Sequence, residues 1–278
     1  MQNKMCVNID AAFERYLKHW LTLHNDEYAG NMDVIEEKMP DIYDEFLNQP
    51  LKELEGHTPI SYFSQFEDAD ELIAWLQAYH GQNIPIPDLL LDRIVELGKK
   101  AEIGLFAMFR EEQMPEELRM MAGSMLRELE SDIPMMYCIE RLSESNEADA
   151  IAESCLEMLN SIGEKAVPAV LAAVPRASET AKDLFAEMLS GYHKQDEIYE
   201  LLIDRFNRHE EQRAMYASFL SKYGDERALP VLYKAIESVD LNYLDFIEIA
   251  NAIESLGGER PADREFSGDP YYESLKGL

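Results

Sequence analysis

The chain has 278 residues, with 25 Lys and Arg against 55 Asp and Glu, a formal charge of −30 at neutral pH. That excess excludes generic phosphate-backbone binding, which needs clustered cations. A hydrophobic fraction of 46 % is too high for a disordered acidic chain and suits one or two folded domains with a sizeable core. Cys6, Cys138 and Cys155 are too few and too scattered for a disulfide framework, which points to a reducing compartment. No apolar run approaches the ~18 residues of a membrane span. The start MQNKMCVNID lacks the apolar core of a signal peptide. The expectation is a soluble cytoplasmic protein that does not associate with a membrane.

Glu, Leu, Ala and Met dominate, apolar residues recur at helical spacing, and no strand-like alternation is sustained, so the fold class is all-α. In chain order, amphipathic helices are expected over about 10–24 and 32–48. A turn-rich stretch, NQPLKELEGHTP (48–59), follows, and Thr58-Pro59 has the form of an N-cap with a first-turn proline. A third helix is expected over about 69–80, and GQNIPIP (81–87) marks a boundary.

From there the chain repeats itself. Taking Gly98, Glu130, Gly163, His193, Gly224 and Gly257 as turn residues gives a period of 30 to 33 residues. Eight positions before each turn stand Leu90, Ala122, Cys155, Phe185, Tyr216 and Ile249. Seven before stand Leu91, Gly123, Leu156, Ala186, Ala217 and Ala250, mostly small. Four before stand Ile94, Leu126, Leu159, Leu189, Leu220 and Ile253. The residues just before the turns are Leu97, Leu129, Ile162, Tyr192, Tyr223 and Leu256. These spacings fall on one helix face. A second helix follows, opening at Pro168, Tyr199 and Pro230, with apolar residues at i, i+3, i+4 and i+7. Val167, Val170, Leu171 and Val174 form one such set, and Leu229, Leu232, Tyr233 and Ile236 another. Between them come Ile198, Leu201 and Leu202, where the last apolar place is taken by Arg205, next to Phe206. Leu142 and its neighbours fill the same role after Pro134.

One hairpin cannot bury both its apolar faces, whereas stacked hairpins can, and the expected architecture is an α-solenoid. The strings SKYGDERALPVLYKAIES (221–238) and NSIGEKAVPAVLAAV (160–174) resemble the short bacterial HEAT-like repeat of the phycobilisome-lyase type. The resemblance covers about 150–258, and more loosely 87–149, where Glu130 replaces the turn glycine. It implies stacked helix hairpins that usually bind other proteins, with some members acting as lyases or nucleic-acid enzymes. The expected organisation is a helical N-terminal cap over 1–84, HEAT-like repeats over 85–258, and an irregular tail over 259–278 anchored by Phe266, Tyr271 and Tyr272.

Chemistry-bearing motifs are scarce. The histidines His19, His24, His57, His80, His193 and His209 have no metal-ligand spacing, and HExxH and CxxC are absent. Asn25, Glu27, Gly30 and Glu36 fit an EF-hand frame in part, but Ala29 supplies no side-chain oxygen at the fifth position. There is no GxSxG, GxxxxGK or GxGxxG. Cys138 and Cys155 read as core residues, and Cys6 as an exposed thiol with nothing nearby to activate it. Glu37, Asp41 and Glu45 read as a solvated helix face. Tyr192, Tyr199, Tyr223 and Tyr233 lie at repeat seams, as core or as contact surface. No catalytic, cofactor or metal residue is assigned.

The expected function is a non-catalytic scaffold that binds a basic protein partner. Glu200, Asp204, Lys234 and Glu237, on the second helices, are the candidate binding face. Two alternatives stand beside it. One is a lyase-type enzyme on the same scaffold. The other follows from FLNQPLKELEGHTPISYF (46–63), which resembles the start of the toxin-binding domain of Xre/ParS-type antitoxins; an inhibitor would then act through residues 46–76.

Overall fold

The computed structural model describes residues 5–24, 32–144, 149–238 and 240–276, and among them there are helices, turns and loops but no strand. No described helix is long and apolar enough to cross a membrane. By internal contacts the chain divides into Met1–Pro134 and Met135–Leu278. The anticipated boundary near residue 84 therefore lies inside the first unit.

The first unit opens with α1 (Ile9–Leu23), capped by the Asn8 side chain, which accepts from Ala11 N at 2.9 Å. Next come α2 (Met32–Leu47), the single turn α3 (Pro59–Tyr62) and α4 (Ala69–Gly81). Ile9, Ala12, Phe46, Leu47 and Leu54 form a core against which Phe13, Tyr16 and Tyr62 pack. Thr58 has the extended backbone of an N-cap, yet its hydroxyl pairs with that of Ser61 at 2.7 Å instead of capping the backbone. Helices α5 (Asp88–Glu96), α6 (Lys99–Arg110) and α7 (Glu116–Glu128) complete the unit, with α6 packed on both α4 and α7. Gly104 of α6 is why α4 comes so close. A Cβ there would stand 2.6 Å from Ile73 Cδ1 and 2.8 Å from Asp70 Oδ1.

The second unit holds α8 (Met135–Glu144), α9 (Ala150–Ile162), α10 (Val167–Ala173), α11 (Glu179–Leu189), α12 (Asp196–Arg208), α13 (Arg213–Tyr223), α14 (Leu229–Ile236), α15 (Tyr243–Ser255) and α16 (Pro270–Lys276). Asp149, Ser178 and Asn242 cap α9, α11 and α15 through side-chain oxygens.

The sequence period reappears as a burial period. All six residues of the column eight before the turns, and all six of the column four before, are completely buried, on α5, α7, α9, α11, α13 and α15. In the column seven before, Gly123, Ala186, Ala217 and Ala250 are buried, while Leu91 and Leu156 are half-buried. The turns themselves share a left-handed residue: φ is +59° at Gly98, +51° at Glu130, +72° at Gly163, +77° at Gly224 and +82° at Gly257. After α11 that residue is Lys194, at +66°, one place beyond the expected His193.

Within the second unit, the turns at Gly163, His193 and Gly224 also touch in succession. The Tyr192 hydroxyl approaches Gly163. His193 Nδ1 lies 2.6 Å from Tyr223 O. Tyr223 Oη donates to Gln195 O at 2.8 Å and accepts from Gln195 N at 2.9 Å. Asp196 pairs with Arg227 at 2.7 Å, and the Arg227 guanidinium lies 4.2 Å from the Tyr199 ring centroid. Tyr233 Oη donates to Glu259 O at 2.8 Å. The seam tyrosines therefore join one turn to the next. Among the helices, α8 packs on α9, α10 and α11, α12 on α11 and α13, and α15 on α13 and α14.

The tail departs from the irregular cap expected. Phe266 is buried against Tyr243 and Phe246, with the Arg264 guanidinium 4.7 Å from its ring centroid, but the chain then forms α16. Asp269 starts that helix by accepting from Tyr271 N and Tyr272 N. Tyr271 stays 48 % exposed and is a weak anchor, because α16 turns it outward.

Candidate functional site

Arg205 occupies an apolar place of α12 and is only 4 % exposed. A lone guanidinium there would be prohibitively costly, so its neighbours decide whether the helix can sit where it does. Its Nη1 donates to Glu179 and its Nη2 to Asp183, both on α11, while Nε donates to Tyr216 Oη of α13 at 2.9 Å. Tyr216 Oη in turn donates to Asp183. Burial works against the Arg205 charge, but the bonds to Glu179, Tyr216 and Asp183 outweigh it and hold the proton more tightly than usual. Hydrogen bonds from Lys182 first, then Arg205, lower the Glu179 carboxyl to about 2. Burial first, then the bond to Asp183, pushes the Tyr216 hydroxyl up. His209 Nε2 lies 3.7 Å from Glu179 Oε2 at the edge of the cluster. The cluster ties three helices together, with Arg205 enclosed and Glu179 facing solvent on one side.

By fixing α12, this cluster positions Phe206 and Asn207 on the wall of a cleft of about 510 Å3 between α12 and α14. Lys234, Glu210, Arg213 and Asp245 line it as well. Arg213 Nη2 pairs with Glu210 Oε1 at 2.8 Å, and burial raises the Asp245 carboxyl above its usual range. Of the four residues expected to form a binding face, Lys234 lines this cleft. Glu200 and Asp204 are exposed one turn apart on α12, Asp204 pairing with Arg208 at 2.8 Å, and Glu237 is exposed just past α14. All four are accessible to a partner.

The other residues singled out in the sequence do not converge. Among the described residues, no group of three or more His, Cys, Asp or Glu side chains is arranged to hold a metal ion. His24 Nδ1 lies 2.9 Å from Trp20 O, and His80 faces Glu117 at 3.7 Å. In the EF-hand frame, Asn25, Glu27, Ala29 and Gly30 lie outside the described residues. Glu37, Asp41 and Glu45 are exposed, with Glu45 accepting from Tyr16 Oη. Cys6 is buried, not exposed, because the segment before α1 packs inward: the Tyr79 hydroxyl donates to Val7 O, and Gln82 Nε2 reaches Cys6 Sγ at 3.2 Å. A bond to Cys155, then burial, pushes the Cys138 thiol up and leaves it inert. In the antitoxin-like stretch, Phe46, Leu47, Leu54 and Phe63 are consumed by the chain's own core, and Ile60, at 48 % exposure, is the large apolar residue left outside.

The sequence marked Arg205 as a break in the pattern but not its partners. Glu179 and Asp183, four apart on α11, were the available signal, and nothing in the spacing linked them to a residue on the next helix. Comparison with known proteins adds no relative: no family model, no curated protein and no solved structure matches this chain.

Proposed function

We propose that the chain is a non-catalytic scaffold, an α-solenoid of HEAT-like hairpins, that binds a basic segment of a protein partner through its acidic second-helix face. The observation that carries this reading is the turn-to-turn contact series at a near-constant offset, from Gly163 to Tyr192, His193 to Tyr223 and Asp196 to Arg227. Tandem units that touch in this way present equivalent helices side by side as one extended surface. On that surface Glu200, Asp204 and Glu237 are exposed in a chain of charge −30, which steers cations toward it. The enzyme alternative has less support, since the buried charged cluster around Arg205 is spent on holding helices.

The test is binding of the full chain to basic protein segments at low and high salt, against a variant carrying Glu200→Lys, Asp204→Lys and Glu237→Lys. Salt-sensitive binding that the triple variant loses is the expected result. Binding that ignores both salt and the charge reversal would remove the reading, as would failure of every basic segment to bind at low salt.

A further inference from the structure

The cleft between α12 and α14 has a counterpart between α8 and α10. Val231, Lys234, Ala235 and Ser238 line the first, and Ala169, Ala172, Ala173 and Arg176, each 62 residues earlier, line the second. The opposite walls match in spacing as well: Phe206, Asn207 and Glu210 in one, Ile139, Glu140 and Ser143 in the other. The groove between second helices thus recurs, and its lining differs. At α10 the wall is alanine throughout, where α14 presents a valine and a lysine. The space there is about 440 Å3, against about 510 Å3 in the first cleft, so the alanines change the chemistry of the wall and do not enlarge the groove. Met136, 52 % exposed, stands at its edge, a flexible apolar side chain that adapts to what it meets.

The rim is charged on one side. Glu140 and Glu144 are exposed one helical turn apart and form no ion pair with a described residue. Arg176 stands on the other wall. A helix lying in the groove with apolar residues at i and i+4 would reach the alanine wall, and Lys or Arg at the same spacing would meet the two glutamates.

We infer that this groove takes one amphipathic helix of a basic partner, its apolar side chains seated between Met136 and Ala172 and its cations on Glu140 and Glu144. The inference rests on the reading of the chain as a binder of basic segments, and adds that the segment is helical and apolar-anchored.

The test uses fluorescent sixteen-residue amphipathic peptides and the full chain, with anisotropy as the readout. One probe has leucine anchors on one face and lysines on the other. A second keeps the lysines and replaces the leucines by serine. The leucine probe should bind at least about tenfold more tightly than the serine probe, the equivalent of ~1.4 kcal/mol. Ala172→Trp, which fills the groove, should abolish that advantage. The pair Glu140→Lys and Glu144→Lys, which changes only exposed positions, should weaken the leucine probe about tenfold as well. If both probes bind alike in a salt-sensitive way, or if the groove variants change nothing, the groove is not the site, while the wider reading survives. If neither probe binds at low salt, both fall together.

Discussion

Helices α10 and α12 follow equivalent turns of the sequence period but solve burial differently. In α10 the inward positions are Val167, Val170 and Ala173, and nothing polar needs a partner. In α12 they are Ile198, Leu202, Arg205 and Phe206, so a charge is buried with the apolar residues. The repeat admits that exception because α11 brings Glu179 and Asp183, and α13 brings Tyr216, to the one point where the guanidinium's donors emerge. A repeat position therefore demands filled volume and satisfied polar atoms, and an apolar side chain is only the simplest way to meet both demands.

That contrast can be broken most sharply at Arg205. Arg205→Ala leaves Asp183 and Tyr216 facing an empty space and should cost roughly 3–5 kcal/mol of unfolding free energy in denaturant titration. Arg205→Met restores the volume and frees the exposed Glu179 to turn to water, so it should cost clearly less. Equal losses would mean that pairing matters and volume does not. On the neighbouring helix α13, where the core is purely apolar, Leu220→Ala in the fully buried column should cost about 2–5 kcal/mol. A value near zero there would deny that the column is core.

Tyr216→Phe removes one hydroxyl from the Arg205 cluster and should cost about 1–3 kcal/mol, as for any buried partner deleted alone. Acid acts on the same cluster. The Glu179 carboxyl titrates lower in the folded chain than in the unfolded one, so its contribution is present above about 4.5 and fades as the pH falls toward about 2. Because Glu179 is exposed on one side, solvent screening trims the effect. In Glu179→Gln, thermal melts across that range should lose part of the pH dependence. The smallest change expected is a gain. Glu130 adopts the left-handed backbone that glycine holds in the matching turns, and Glu130→Gly should raise stability by up to about 1 kcal/mol.

Much of the helical layout was legible because it follows from local rules. The two columns eight and four residues before each turn predicted burial correctly on all six helices, since helical spacing and the cost of hydrating apolar surface both act within one segment. The antitoxin-like stretch was less transparent. Its turn chemistry was readable, but whether Phe46, Leu54 and Phe63 face a partner or the chain's own core depends on what α1 and α4 bring near them. The apolar spacing points to His193 as the turn residue, whereas the backbone gives that position to Lys194, because a one-residue shift leaves the apolar pattern untouched.

By itself the sequence determined an all-helical chain, the period of its turns, the buried face of the helix before each turn and the excess of acidic residues. The tertiary structure alone decided that Arg205 meets Glu179, Asp183 and Tyr216, that Cys6 is buried, and that the alanines of α10 face α8 across a groove. Those outcomes join residues that are distant in the chain. Periodicity fixes where a side chain points relative to its own helix, whereas the partner it meets is set by how neighbouring helices pack.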